Sequence, residues 1–197
     1  MTSNVRKVHE LIQKNTGYLT FSQARDEGIS YSTLSKLLEA GALISEERGI
    51  YQLPNAYIDE YVILQHRYPK GVYSLESSLW LHGLSLTIPF ELTMSFPYGT
   101  NTKLIKKSGI KPVILRSNYS DGIVDVKTPG SQSVMTYEVE RTLAECLRPI
   151  YKVDVQIIAP AFKSYSQNRK INFSKLFYYA GIFKVESKVQ SYMEVLE

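Results

Sequence analysis

An α+β fold is predicted, with a winged helix-turn-helix at the N-terminus and a C-terminal α+β domain holding a small sheet and several helices. Three observations predict it. Residues 20–53 run helix, glycine turn, helix, then two short apolar runs around a charged tip. Residues 86–127 break into short β-prone runs separated by glycine, proline and asparagine. From Thr136 onward the apolar spacing is helical.

Asn4 is a good cap for a first helix that buries Val5, Val8, Leu11 and Ile12, and Gly17 ends it. Thr20-Phe21-Ser22-Gln23 has the form of a capping box at the head of a helix over 20–27. Gly28 permits the tight turn and Ile29 plugs its corner. In the next helix, 32–40, Leu34, Leu37 and Leu38 share one face, while Ser32, Ser35, Lys36 and Glu39 lie opposite with Tyr31 and Thr33 at the flanks. Gly41 is a left-handed stop. Leu43-Ile44 and Ile50–Leu53 are expected to pair as a hairpin, with 45–49 as its wing.

Pro54-Asn55-Ala56 marks the expected boundary, giving a DNA-reading domain at 1–55 and an α+β domain at 56–197. In the second part helices are expected over 58–68 and 75–82, and strands over 86–96, 112–117 and 122–127. Helices then follow from 136, over 153–165, 173–180 and 185–196, with Val139, Leu143 and Leu147 on one face of the first.

A short helix, a glycine turn and a second helix with a polar outer face are what major-groove reading requires. Ser32, Thr33, Ser35 and Lys36 are the candidate base or phosphate contacts, and Tyr31 and Arg48 the candidate flanking contacts. Charge complicates this. Residues 1–90 hold eight Lys/Arg against nine Asp/Glu, and residues 91–197 fifteen against ten. Two stretches carry no acid at all. From 92 to 120 the charges are Lys103, Lys106, Lys107, Lys111 and Arg116, a possible basic surface for DNA or for a second activity. From 155 to 184 they are Lys163, Arg169, Lys170, Lys175 and Lys184.

Little points to catalysis, and neither a metal nor a cofactor is expected. His9, His66 and His82 are scattered, and Cys146 is the single cysteine, expected to be buried. His82 is read as a helix-end or packing residue. The array Asp121…Asp125-Val126-Lys127 leaves a Mg²⁺-dependent nuclease as a remote alternative; a turn at Asp121-Gly122 and same-face strand partners at Asp125 and Lys127 explain it better. No run of ~18 apolar residues is present to span a bilayer. The N-terminus has no basic-then-apolar pattern, so a cytoplasmic protein is expected.

Three segments together resemble a known family. Gly28-Ile29-Ser30…Leu34…Leu37…Gly41-Ala42-Leu43…Gly49-Ile50-Tyr51-Gln52-Leu53-Pro54 looks like the winged-helix domain of AbiEi-type antitoxins, the antitoxin halves of AbiE abortive-infection systems. The run 72–84 resembles the opening of their second domain, and 137–148 resembles their Glu-Arg-Thr-Leu helix. Tyr31 departs from the pattern, standing where relatives are expected to carry a basic residue. The resemblance implies repression of the protein's own operon through inverted repeats in the promoter. It also implies neutralisation of a nucleotidyltransferase toxin in a type IV arrangement, without a required stable complex. A pre-formed dimer and two monomers meeting on DNA both suit such repeats. The alternatives are a stand-alone winged-helix regulator or a protein-contact module without a toxin partner.

Overall fold

The computed structural model describes residues 3–167 and 171–196. The chain forms two compact units, Met1–Arg67 with Lys127–Val134, and Tyr68–Val126 with Met135–Glu197.

In the first unit, α1 (Ser3–Lys14) buries Val8 and Ile12 completely. The helix already runs at Ser3, so Asn4 lies within it instead of capping it. Next come β1 (Tyr18–Thr20), α2 (Phe21–Asp26) and α3 (Tyr31–Glu39). The capping box forms as expected. Thr20 Oγ1 accepts from the Gln23 amide at 3.2 Å and Gln23 Oε1 accepts from the Thr20 amide at 2.9 Å, an arrangement that stabilises a helix start by ~1 kcal/mol. Gly28 turns the chain at φ +76°, a left-handed value that would strain a residue with a Cβ, and Ile29 behind it is buried. Ser30 then caps α3 through the Thr33 amide.

The core of this unit joins Val8, Ile12, Leu19, Ala24, Ile29, Leu34, Leu37, Leu43 and Tyr51. The wing differs from expectation. Strand β2 (Ile50–Gln52) pairs antiparallel with β1, with Leu19 opposite Tyr51, and Leu43-Ile44 contributes a single bridge between Ile44 and Gln52. Burying Leu19 drives this choice, and a three-residue strand is too short for alternation to reveal it.

The compact unit continues past the Pro54–Ala56 turn through α4 (Glu60–Arg67) and takes in residues 127–134. Gln132, 1% exposed, is the reason. Its Oε1 accepts from the Asp59 amide at 2.8 Å, and its Nε2 donates to the carbonyls of Thr16 and Tyr57, both at 3.0 Å. The Gly130 amide donates to Asp59 Oδ2 at 3.1 Å.

The second unit is built on a five-stranded sheet in the order β5-β4-β3-β7-β6, formed by β3 (Val72–Tyr73), β4 (Leu92–Pro97), β5 (Ile110–Leu115), β6 (Ile123–Lys127) and β7 (Ser133–Tyr137). β4 runs antiparallel to β3 and parallel to β5, and β3 runs parallel to β7. The helices are α5 (Leu75–Leu81), α6 (Lys103–Lys107), α7 (Val139–Cys146), α8 (Val155–Ser166), α9 (Phe173–Phe183) and α10 (Glu186–Leu196), with a 3-10 turn at Pro149–Tyr151.

Two expectations are corrected here, and one element is added. The strand expected from Leu86 starts only at Leu92, leaving Leu86, Ile88 and Phe90 exposed in the preceding loop. The helix expected from Thr136 starts at Val139, because Ser133–Tyr137 is spent on β7. Residues 103–107, not assigned from sequence, form a helical turn.

The core of this unit gathers Leu79, Tyr137, Leu143, Phe162, Leu176 and Val189. A buried hydroxyl network ties α5 and α7 to the sheet. Ser77 Oγ accepts from the Thr93 amide at 2.8 Å, Ser78 and Thr142 hydroxyls meet at 2.7 Å, and Thr136 Oγ1 donates to the Tyr73 carbonyl at 2.9 Å. Each buried hydroxyl thereby avoids the cost of an unpaired polar group.

Candidate nucleic-acid interface

Helix α3 is held by its apolar face. Leu34 and Leu37 are buried and Leu38 half-buried, each fully buried leucine contributing ~1.5–3 kcal/mol, so rotation of the helix is opposed by the core. The opposite side carries Tyr31, Ser32 and Lys36 into solvent. Tyr31 is 62% exposed and stands edge-on to Phe21, with ring centroids 6.0 Å apart. Among the described residues Lys36 makes no ion pair, so its ammonium is open to an external anion.

The short hydroxyls are less free. Ser30 Oγ lies 2.9 Å from Ser32 Oγ and 3.0 Å from Thr33 Oγ1, and Ser35 Oγ donates to Glu39 Oε1 at 3.2 Å. Thr33 and Ser35 are half-buried. Of the four residues expected to face DNA along this helix, the structure therefore opens Ser32 and Lys36 fully and Thr33 and Ser35 in part.

Tyr31 and Arg48, far apart in sequence, line one groove of about 380 Å³ between α3 and the wing, with Phe21, Leu38, Ser45 and Tyr51. The wing carrying Arg48 is braced by residues that sequence reasoning missed. Arg67 forms an ion pair with Glu47, which holds the Glu47 carboxyl below its ordinary range. His66 Nε2 lies 3.2 Å from the Arg48 carbonyl oxygen. Glu47, the acid next to Arg48 in the chain, is thus neutralised by a cation from α4.

In the second unit Lys103, Lys106 and Lys107 are exposed on α6, and Lys111 and Arg116 are exposed on and just after β5. Arg116 lies over the Tyr98 ring, 5.1 Å from its centroid. The later basic stretch is less uniform than its sequence suggests. Lys175 pairs with Glu138, which raises its pKa, and Arg169 and Lys170 lie outside the described residues.

The groups weighed for catalysis have structural surroundings. Cys146 is buried, and burial pushes its thiol well above the ordinary range. His82 Nε2 lies 2.7 Å from the Tyr137 carbonyl oxygen and burial lowers its pKa. The Asp121 carboxylate accepts from Asn118 Nδ2 at 2.9 Å. Among the described residues no helix is long and apolar enough to cross a membrane.

No curated protein matches the chain. One similar solved structure is the crystal structure of RV2827C protein from Mycobacterium tuberculosis, 13% identical, with a TM-score of 0.48; the match covers 98% of this chain and 81% of that chain. The family model described as transcriptional regulator, AbiEi antitoxin, matches residues 6–54. Those residues run from within α1 through the capping box, the glycine turn and α3 to the end of the wing, and over them this chain is similar to the AbiEi antitoxin family of transcriptional regulators.

Proposed function

We propose that this antitoxin-family regulator represses its own operon by binding inverted repeats in the promoter, neutralises a nucleotidyltransferase toxin in a type IV arrangement, and is itself not an enzyme. The observation that carries the DNA reading is the outer side of α3, where Lys36 stands exposed and without an ion pair on a helix whose other face is locked into the core. Ser32 and Lys36 reach base edges or phosphates in the major groove, Thr33 and Ser35 contribute from the same helix, and Tyr31 and Arg48 contact the flanking backbone or minor groove. Repression acts through residues 1–55, and residues 56–197 carry the antitoxin role. Lys103, Lys106 and Lys107 are candidates for that role or for phosphates beside the operator. The protein works in the cytoplasm, where its promoter lies.

The test is a gel shift of the full chain on its own upstream promoter against scrambled DNA, at two salt concentrations and with Mg²⁺ present. Specific retardation that weakens as salt rises is expected, since phosphate contacts release counterions. Lys36→Glu should weaken the shift several-fold or more without altering the thermal melt, and should leave protection from the toxin intact in cells. An unchanged shift removes α3 from the interface. The balanced charge of residues 3–53, six Lys/Arg against six Asp/Glu, favours one other reading, a module that works through protein contacts alone. Absence of retardation at either salt would select it. Cleavage of the DNA would point instead to Asp125 and Lys127.

A further inference from the structure

The outer strand of the large sheet borders a cavity that the DNA reading does not use. Residues 111–116 of β5 and its extension form one wall; Arg148, the 3-10 turn after it and the end of α9 form the other. Its volume is about 530 Å³, within the range of small-molecule sites. Lys111, Arg116 and Arg148 line it, and among the described residues no carboxylate does.

Arg148 is held in place. Its guanidinium lies 5.1 Å from the centroid of Tyr151 and 5.2 Å from that of Phe183, and its Nη1 donates to Tyr151 Oη at 3.1 Å. Behind it Glu145, 1% exposed, stands 3.8 Å from Arg148 and 3.7 Å from the fully buried Arg141. One carboxylate therefore serves two guanidiniums, and positive charge is left over at the cavity. A concave site lined by one sign of charge concentrates counter-ions.

Charges and a proline on an outer strand also guard its edge against pairing with another chain, and Lys111 and Pro112 suit that role. Edge protection does not account for Arg148. It comes from a different element, and a guard has no need of a guanidinium oriented by the Tyr151 ring with its own hydroxyl and by the Phe183 ring.

Apart from Ser117 and Asn118, the remaining lining is apolar. Ile114, Ile150, Tyr151, Ile182 and Phe183 give a surface suited to a planar ring. We propose that this cavity is a nucleotide-binding site, in which Lys111, Arg116 and Arg148 take the phosphates and the aromatic and isoleucine wall takes the base. A free nucleoside triphosphate and the terminal nucleotide of a single-stranded RNA share this chemistry. The site lies in the second unit and stands or falls independently of promoter binding by α3.

The test is calorimetric titration of the full chain with ATP, GTP, CTP and UTP separately, with inorganic tripolyphosphate, and with a short single-stranded RNA. At least one nucleotide or the RNA should bind and raise the melting temperature. Tighter binding of the RNA identifies a strand end as the ligand, and tighter binding of the nucleotide identifies the free form. The double variant Lys111→Glu/Arg116→Glu should weaken binding at least ~10-fold, since each lost charge-assisted hydrogen bond weakens it by about that factor. Lys111→Gln/Arg116→Gln serves if the charge-reversed protein does not fold. Lys36→Glu should bind the nucleotide as the wild type does. The proposal is overturned if neither nucleotides nor RNA bind at ~1 mM, if tripolyphosphate binds as tightly as every nucleotide, or if the double variants bind unchanged.

Discussion

Gln132 shows how far one side chain can extend a folding unit. A carboxamide offers two donors and an acceptor, and here they satisfy the Thr16 and Tyr57 carbonyls and the Asp59 amide in a setting where water is excluded. Gln132→Ala leaves those groups unpaired. A loss of about 2–3 kcal/mol is expected in urea denaturation of the full chain. Gln132→Glu should do no better, because a carboxylate cannot donate to the two carbonyls. The Glu-Arg-Thr-Leu segment makes a similar point. Tyr165 donates to Glu140, Arg141 Nη1 donates to the Asn118 and Asp121 carbonyls while stacking 3.6 Å from the Tyr137 ring centroid, Thr142 joins the hydroxyl network, and Leu143 fills the core. In this structure the segment is buried scaffolding.

At the scale of the element, the wing depends on a helix that follows it. Glu46 and Glu47 beside Arg48 look hostile to phosphate in the linear sequence, yet the Arg67 ion pair neutralises Glu47 and His66 contacts the wing backbone. Arg67→Ala should weaken promoter binding several-fold at low salt, because Glu47 would again repel phosphate. It should lower stability by no more than ~1 kcal/mol, the scale of a partly exposed pair. A loss of binding matched by a collapse of the melt would instead mean that α4 serves folding alone. Helices α2 and α3 were legible in sequence because capping, turn and period all fall within a few residues. β1 and β3 were not legible, since strands of three and two residues are specified by their partners and carry no period of their own.

For the whole molecule, buried phenols set an alkaline limit. Burial raises the pKa of Tyr61 and Tyr151 to about 12, and raises those of Tyr137, Tyr165 and Tyr179 further above the ordinary value of 10.0. A folded-state pKa above the unfolded one means stability that is complete below pH 10 and is lost as pH climbs toward and through the folded value. The chain should therefore unfold cooperatively between about pH 10 and 12, with tyrosinate absorbance from these residues appearing together with the loss of helical circular dichroism. Tyr151→Phe should move the transition upward. Ionisation of these phenols in a protein that keeps its helical signal would contradict their burial.

The sequence by itself determined the α+β class, the winged-helix plan, the polar outer face of α3 with Lys36 upon it, and the segregation of basic residues into the second half. These follow from local chemistry: caps, glycine turns, the 3.6-residue period and composition. Only the tertiary structure decided that β2 pairs with β1, that Gln132 reaches back to Thr16 and Tyr57, that Arg67 disarms Glu47, and that Lys111, Arg116 and Arg148 share one cavity. Each of those depends on a contact between residues distant in the chain. Such contacts are selected by burial of shared surface and pairing of buried polar groups, which no local pattern encodes.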